Sequence, residues 1–325
     1  MFKVGIHTLF NFFMKLAVLI PCYNEELTVR KVVTDFRQAL PDADIYVYDN
    51  NSTDRTIEEA TAAGAIVRKE TIQGKGAVVH SMFLDIDADY YIMVDGDDTY
   101  PADAAPEMMK VALERKVDML VGDRLSNKTY EEENKRPFHN FGNDLVRKLI
   151  NKFFKSDLHD ILSGYRIFSH RFVKNYSSLI SGFELETDLS IYCLNYDFRV
   201  AQVPITYRDR PEGSESKLDT FADGYKVLRL FLDLYRLYKP LSFFTIIASV
   251  FFFAGIIAGI FPIMEQIQYQ YVYKVPTAIA AVSLVILSIL LFTCGLILDN
   301  ISKFDKKNFK HALLTFDENH KKNKK

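Results

Sequence analysis

Two uninterrupted apolar runs set the outer limit on what this chain can be. LSFFTIIASVFFFAGIIAGIFPI (241–263) and VPTAIAAVSLVILSILLFTCGLIL (275–298) contain no Asp, Glu, Lys or Arg. Each can cross a hydrocarbon core of about 30 Å at about 1.5 Å per residue. Two buried core helices are the alternative, but uncharged runs this long are rare in soluble folds. The flanks give an orientation. Lys226, Arg229, Arg236 and Lys239 precede the first run; Lys303, Lys306, Lys307 and Lys310 follow the second, leading into a lysine-rich tail. The intervening MEQIQYQYVYK carries one acid, one base and several tyrosines suited to a membrane interface. The positive-inside rule therefore predicts an integral membrane protein with two spans, its large preceding domain and both termini in the cytoplasm.

The segment before the first span, TFADGYKVLRLFLDLYRLY (220–238), places Val227, Leu228, Leu230, Phe231, Leu234 and Leu237 on one helical face. This pattern predicts a helix lying in the membrane surface, an ordinary amphipathic helix packed on the domain being the alternative. FHNFGNDLVRKLINKFF (138–154) has a weaker version of the same pattern. At the other end no secretory signal pattern is visible: the first apolar stretch is interrupted by His7, Asn11 and Lys15. Met14 opens MKLAVLIPCYNEE, which reads as a natural start and leaves residues 1–13 as an upstream extension or a short interfacial helix. The division expected is an N-terminal extension (1–15), a cytoplasmic catalytic domain (16–219), a juxtamembrane amphipathic helix (220–239), a two-helix anchor (240–299) and a basic tail (300–325).

Before the spans, the chain alternates short apolar strands with helices. LAVLI (16–20), IYVYD (45–49), AIVRK (65–69), YYIMV (90–94) and VDMLVG (117–122) read as strands. EELTVRKVVTDFRQAL, TDRTIEEATAAG and GAVVHSMFLDI read as the helices between them, the second capped by Ser/Thr/Asp and stopped at Gly64. Such alternation predicts an α/β fold, a mostly parallel sheet with helices on both faces. The 49 % apolar composition supplies its core. A net charge of −2 gives no general attraction to nucleic acid. Cys22, Cys193 and Cys294 are too scattered for a metal site or a disulfide framework.

Ligands of such sheets bind at the carboxyl ends of the strands. Four polar clusters fall there: PCYNEE, DNNSTD, DGDD and GDR. The third is the sharpest puzzle. Asp95, Asp97 and Asp98 crowd the end of an apolar strand, where like charges repel. Crowded carboxylates are natural ligands for a hard divalent cation, and Asp95 and Asp97, separated by Gly96, can point to one Mg²⁺ or Mn²⁺. Asp95-x-Asp97-x-Thr99 also fits the haloacid-dehalogenase phosphatase signature. However, the next acidic motif follows within about 25 residues, too few for the intervening β-α units, and that signature should open its domain.

The series VLIPCYNEE, VYDNNSTDRT, QGKG and DGDD, in that order, resembles the family-2 glycosyltransferases of the GT-A (Rossmann-like) fold over roughly residues 16–239. The resemblance implies that Pro21, Tyr23, Asn24, Glu25, Asp49 and Asn50, with Lys75, Asp95 and Gly96, hold a nucleoside-diphosphate sugar. It also implies that Asp95 and Asp97 hold Mg²⁺ or Mn²⁺, with Asp97 the more direct ligand. Taken singly these residues have plainer readings, Glu25 as a helix N-terminal acid and Asn51, Ser52 or Thr53 as N-caps. The downstream motifs GDRLSNKTYEEENKRPFHNFGN, DILSGYRIFSH, GFELETDL and YRDRPEGSESKLDTFADGYKVL look like the branch that transfers sugar to a polyprenyl phosphate. There, Arg124 and Lys135 or Arg136 would meet the acceptor phosphate, Asp160 and Arg166 would line the active site, and Arg210, Ser216 and Lys217 would lie in a loop over the diphosphate. His139 stands where relatives often carry Ser, and GDRLSNKTYEEEN (122–134) is unusually acidic. Glu184, Glu186 and Asp188 match an acidic motif that supplies a base in sugar-acceptor relatives; here capping or solvent-facing roles stay open.

The expected activity is therefore an inverting, metal-dependent transfer of one hexose to undecaprenyl or dolichyl phosphate. A UDP-sugar is the favoured donor and GDP-mannose the alternative. A processive polysaccharide synthase would need a Gln-x-x-Arg-Trp motif, and the chain has no Trp. A non-catalytic membrane subunit that binds nucleotide-sugar is the remaining alternative. Partners expected are the donor, the lipid acceptor and the bilayer, with homo-oligomerisation left open.

Overall fold

The computed structural model describes residues 14–126, 147–177, 185–208, 229 and 231–323. Residues 1–13, and the expected site residues Lys135, Arg136, Arg210, Ser216 and Lys217, lie outside the described residues. So do His139, Glu184 and most of 220–230.

The chain forms two compact units, Met1–Leu228 and Arg229–Lys325. The first is built on a seven-stranded sheet. Its strands are β1 (Leu16–Cys22), β2 (Asp44–Asp49), β3 (Ile66–Lys69), β4 (Tyr90–Met93), β5 (Met119–Asp123), β6 (Arg166–Ser169) and β7 (Val200–Pro204). They lie in the order β3-β2-β1-β4-β6-β5-β7. All neighbours are parallel except at β6, which runs antiparallel to both β4 and β5. Helices α1 (Val29–Ala39), α2 (Thr56–Ala62), α3 (Lys75–Asp85) and α4 (Ala105–Arg115) connect the first five strands, and α5 (Leu185–Asn195) precedes β7. The sequence anticipates β1 to β5 to within a few residues. Two elements it does not announce are β6 and β7, four and five residues long.

Strand periodicity sorts the core into two layers. Leu16, Val18, Ile20 and Cys22 of β1 face one layer with Val29, Val32, Val33 and Phe36 of α1 and Met108 and Met109 of α4. On the opposite face Phe83 of α3 packs edge-to-face on Phe168 of β6, with ring centroids 5.4 Å apart. Phe168 in turn stacks on Phe172 at 5.2 Å. With both faces covered, β1 has to be apolar throughout, hence LAVLI without alternation. Pro21 is tolerated in this central strand because β1 pairs with β4 only as far as Leu19. The Cys22 carbonyl accepts from Asn50 on the β2 side, so Pro21 faces the side where the ladder has already ended.

The second unit contains α6 (Pro240–Tyr269) and α7 (Val275–Asn323). Both are long and apolar enough to cross a membrane. Small residues recur every seventh position where they meet: Ala248, Gly255 and Pro262 on α6, Ala281, Ser288 and Gly295 on α7. Ser288 Oγ donates to the Ala248 carbonyl at 2.8 Å, and a Cβ at Gly255 would stand 3.1 Å from the Ala281 carbonyl oxygen. Close backbone approach of this kind holds helices together where no hydrophobic drive exists. Glu265 closes the hairpin, accepting from the Tyr273 and Lys274 backbone at 3.0 Å each. The expected basic tail is continuous helix with the second span, to Asn323. Of the expected juxtamembrane helix, 231–238 is helical, with Phe231, Leu234 and Tyr235 buried and Leu237 exposed.

Candidate active site

The carboxyl ends of β1, β2, β4 and β5 share one edge of the sheet, and because β6 is antiparallel its amino end arrives at the same edge. That single reversal brings the DILSGYR loop to the acidic cluster. At Gly164, an added Cβ would collide with the Asp95 carboxylate.

Each of the three crowded aspartates has its own partners, a lysine for Asp95 and for Asp98 and the Thr99 donors for Asp97. Asp95 Oδ1 lies 2.5 Å from Lys75 Nζ. Asp98 Oδ1 lies 2.7 Å from Lys31 Nζ of α1. Burial tends to lower the Lys31 pKa, but Asp35 and Asp98 outweigh it and the group is held above its ordinary value. Asp97, buried, accepts from the Thr99 backbone N–H at 3.2 Å and its hydroxyl at 2.6 Å. The turn between them is tight. Gly96 is required because a Cβ there would stand 2.6 Å from Cys22 Sγ, and the Gly96 carbonyl accepts from Thr28 Oγ1 at 2.7 Å.

On the β1–β2 side, polar side chains bind neighbouring loops. Asn24, with φ of 53°, accepts from Thr53 N at 2.8 Å. Glu25 N donates to Thr56 Oγ1 at 2.8 Å. Asn50 makes four hydrogen bonds, donating to the Glu70 and Ile72 carbonyls and accepting from Gln73 Nε2 and Gly74 N. Its amide capacity is thereby used to fix the 70–74 loop that delivers Lys75. Asp49 differs. It is 1 % exposed, its Oδ2 accepts from Ser52 N at 3.2 Å, and its Oδ1 has no partner. A buried acceptor left unsatisfied is costly unless a ligand completes it. Tyr23 is 39 % exposed at the same edge.

On the β5–β6 side the charged residues pair with each other. Arg124 grips Asp160 with Nε at 2.7 Å and Nη2 at 3.0 Å, and its backbone N–H adds a third bond at 3.1 Å. The guanidinium lies over the rings of Tyr207 and Tyr100, 5.4 and 5.9 Å from their centroids. Burial pushes the Asp160 carboxyl up, but Arg124 beside it outweighs that and holds it below the ordinary carboxylate value. One residue earlier on each segment, Asp123 and His159 approach to 3.3 Å, making a second crossed pair. Arg166 is fully buried. It donates to the carbonyls of Ser163, Ile161 and Glu186 and to Ser190 Oγ, at 2.5 to 3.0 Å. It therefore ties the DILSGYR loop to α5.

Glu186, whose role the sequence leaves open, comes into the site: its Oε1 lies 2.5 Å from Lys75 Nζ, opposite Asp95. Asp188 does not, since it accepts from the Tyr176 hydroxyl at 2.6 Å in the core. Sequence reasoning names Glu186 without settling its role, quotes the segment that begins at Tyr207 without singling that residue out, and passes over Tyr100.

An acidic turn at the end of β4 and the Arg124–Asp160 pair thus lie at one edge of a mostly parallel α/β sheet. The profile of Glycosyl transferase family 2 matches residues 17–177. Glycosyltransferase AglJ of Haloferax volcanii is 30 % identical over 297 residues, 90 % of this chain and 95 % of the relative. The dolichyl-phosphate hexose transferase of the same organism is 30 % identical over 212 residues, 65 % of this chain and 90 % of that one. Among solved structures, glucosyl-3-phosphoglycerate synthase from Mycobacterium tuberculosis, in complex with Mn²⁺, uridine diphosphate and glucosyl-3-phosphoglycerate, superposes with a TM-score of 0.55 at 20 % identity. That match covers 68 % of this chain and 80 % of the synthase and bears on the fold alone. The chain belongs to glycosyl transferase family 2 and is a glycosyltransferase of the GT-A fold, with relatives named as polyprenyl-phosphate hexosyltransferases.

Proposed function

We propose that this enzyme transfers one hexose, with inversion, from a nucleoside-diphosphate sugar to a polyprenyl phosphate, undecaprenyl or dolichyl, at the cytoplasmic membrane face. The observation that carries the reading is the meeting of Asp95 with the 160–166 loop: an acidic, nucleotide-type turn and a basic, acceptor-type fork share one strand edge. A UDP-sugar is the favoured donor. Asp49 Oδ1 offers one unsatisfied acceptor, which suits the single ring N–H of uracil.

The donor set fits a divalent ion of the Mg²⁺ or Mn²⁺ kind. Two carboxylates, Asp95 and Asp97, flank a glycine, and among the described residues no group of three or more His, Cys, Asp or Glu could form an all-protein cage. An ion that fills its shell with diphosphate oxygens and water needs no more than that. Bound there, it would neutralise the leaving diphosphate.

The chain's own residues do the rest. A phosphate monoester is already ionised near neutral pH, so the attacking oxygen needs little general-base help; it needs its charge offset. Arg124 supplies a guanidinium whose orientation is set by Asp160, Tyr100 and Tyr207. Asp160, held ionised by Arg124, is a poor proton shuttle and serves as an electrostatic and positioning group. Lys135, Arg136, Arg210, Ser216 and Lys217 are proposed to complete the acceptor side. The proposed division keeps 16–219 as catalytic domain, 220–239 at the membrane surface and 240–299 as anchor, with both termini cytoplasmic, so that the lipid tail stays in the bilayer while its head enters the site. The test is a donor panel with purified protein, undecaprenyl or dolichyl phosphate and Mg²⁺ or Mn²⁺. A single lipid-linked hexose from one UDP-sugar, abolished by chelation, is expected. Products longer than one sugar, or turnover undiminished by chelator, would remove the reading.

A further inference from the structure

Lys75 is the first residue of α3, and its ammonium lies 2.5 Å from Asp95 and 2.5 Å from Glu186. The three side chains are 13, 27 and 8 % exposed, so little water screens them. Both carboxylates are anchored from behind. Glu186 sits on α5, its backbone carbonyl bonded to Arg166. Asp95 is wedged under Gly164. The base of Lys75 is fixed too, because Gly74 N is held by Asn50 Oδ1 at 2.7 Å. Only the lysine side chain, four methylenes long, can change partner easily.

A divalent cation on Asp95 and Asp97 would put its charge on the carboxylate that Lys75 now holds, and two cations on one oxygen repel strongly in a partly buried site. Lys75 must then release Asp95, and its second contact, Glu186, is already made. We propose that Lys75 is the resident counter-cation of Asp95, displaced by the divalent ion and retained by Glu186, so that Glu186 governs how readily the acid pair takes metal. Glu186 is on this account a positioning residue. The inference rests on the metal part of the function proposed above, and assigns a role to an acid 111 positions from Lys75 along the chain.

Mn²⁺ binding to the full-length protein, followed by the electron paramagnetic resonance of free Mn²⁺ with and without UDP, tests it. K75M should bind Mn²⁺ about tenfold more tightly in the absence of UDP, the equivalent of one charge-assisted contact no longer competing. E186Q should weaken it, because Lys75 then rests on Asp95 alone. In the K75M background E186Q should have no further effect. A loss on E186Q of the same size with or without Lys75 would mean simple long-range charge and overturn the proposal, as would unchanged Mn²⁺ affinity in K75M. K75Q provides the same comparison if K75M does not fold. If wild type and D97A both fail to bind Mn²⁺ even with UDP, the metal reading itself is wrong. If D97A abolishes binding and K75M leaves it unchanged, only the Lys75 proposal falls.

Discussion

The two halves of the sheet hold their polar residues in different ways. In the all-parallel half, β3-β2-β1-β4, side chains from one strand-end loop bond the backbone of the next: Asn24 to Thr53, Glu26 N to Asp54, Asn50 to four groups in 70–74. In the half containing antiparallel β6, charged side chains are enclosed, Arg124 by the Asp160 carboxylate and Arg166 by Ser190 Oγ and three backbone carbonyls. The first arrangement shapes a cradle and leaves Asp49 Oδ1 unsatisfied at its base. The second fixes charges in position. A scaffold of backbone bonds should tolerate loss of a ligand contact, whereas a scaffold of paired charges should fail when one partner is removed.

The largest effect expected is at the junction of the halves. Asp97→Ala should lower turnover by about two to three orders of magnitude, the range seen when a preorganised electrostatic group is lost, measured as lipid-linked sugar formed. Retention of more than a tenth of the rate would separate Asp97 from the chemistry.

Next is the charge pair. Asp160→Asn leaves Arg124 enclosed without its counter-ion, and removing one member of a buried pair costs about 3 kcal/mol or more, read as a fall in thermal midpoint. Asp160 has its pKa lowered in the fold. The stability it contributes is therefore fully present above the ordinary value of 3.8 and is lost as pH falls through the lowered value. In Arg124→Met, burial of Asp160 is opposed only by the Arg124 backbone N–H and the more distant Arg166 charge, so its pKa should rise and the pH–rate profile should gain an acid limb absent from wild type. An unchanged profile shape would show that Arg124 does not set the state of Asp160.

A smaller effect, opposite in kind, tests the parallel half. Asp49→Asn should weaken UDP binding about tenfold, one hydrogen bond to a charged group, while stability holds or rises because an unsatisfied buried carboxylate has gone. Isothermal titration and thermal melting together check it, and a fall in both would place Asp49 among the structural residues. The smallest effect lies in the second unit. Ser288→Ala should cost about 0.6 kcal/mol, the mean for an interhelical hydrogen bond in a membrane, in an unfolding measurement of the helix hairpin.

The parallel half was largely legible in the sequence. Apolar runs, Gly64 as a helix stop and the four polar clusters fix β1 to β5 and their loops, because each βα unit buries its own face and turns over its own strand end. The other half was not. RIFS is a four-residue segment, and a strand that short has no period to read even with the Ser163-Gly164 turn signal before it. Its antiparallel insertion between β4 and β5 is what carries Asp160 and Gly164 to Asp95. Asn50 illustrates the limit for single residues: its position in the motif was evident, but its four bonds to 70–74, which make it a support for Lys75, depend on where a separate loop lands.

The sequence by itself determined the class of fold, the edge where chemistry gathers and the two apolar spans, since all three follow from local periodicity and from charge against hydropathy. Only the tertiary structure decided the partners: Lys75 between Asp95 and Glu186, Arg124 on Asp160, Arg166 within the core. The reason is distance. Hydrogen bonds and ion pairs act over about 3 Å, and which charged groups come that close, 36 or 111 residues apart along the chain, is settled by strand order and leaves no trace in spacing.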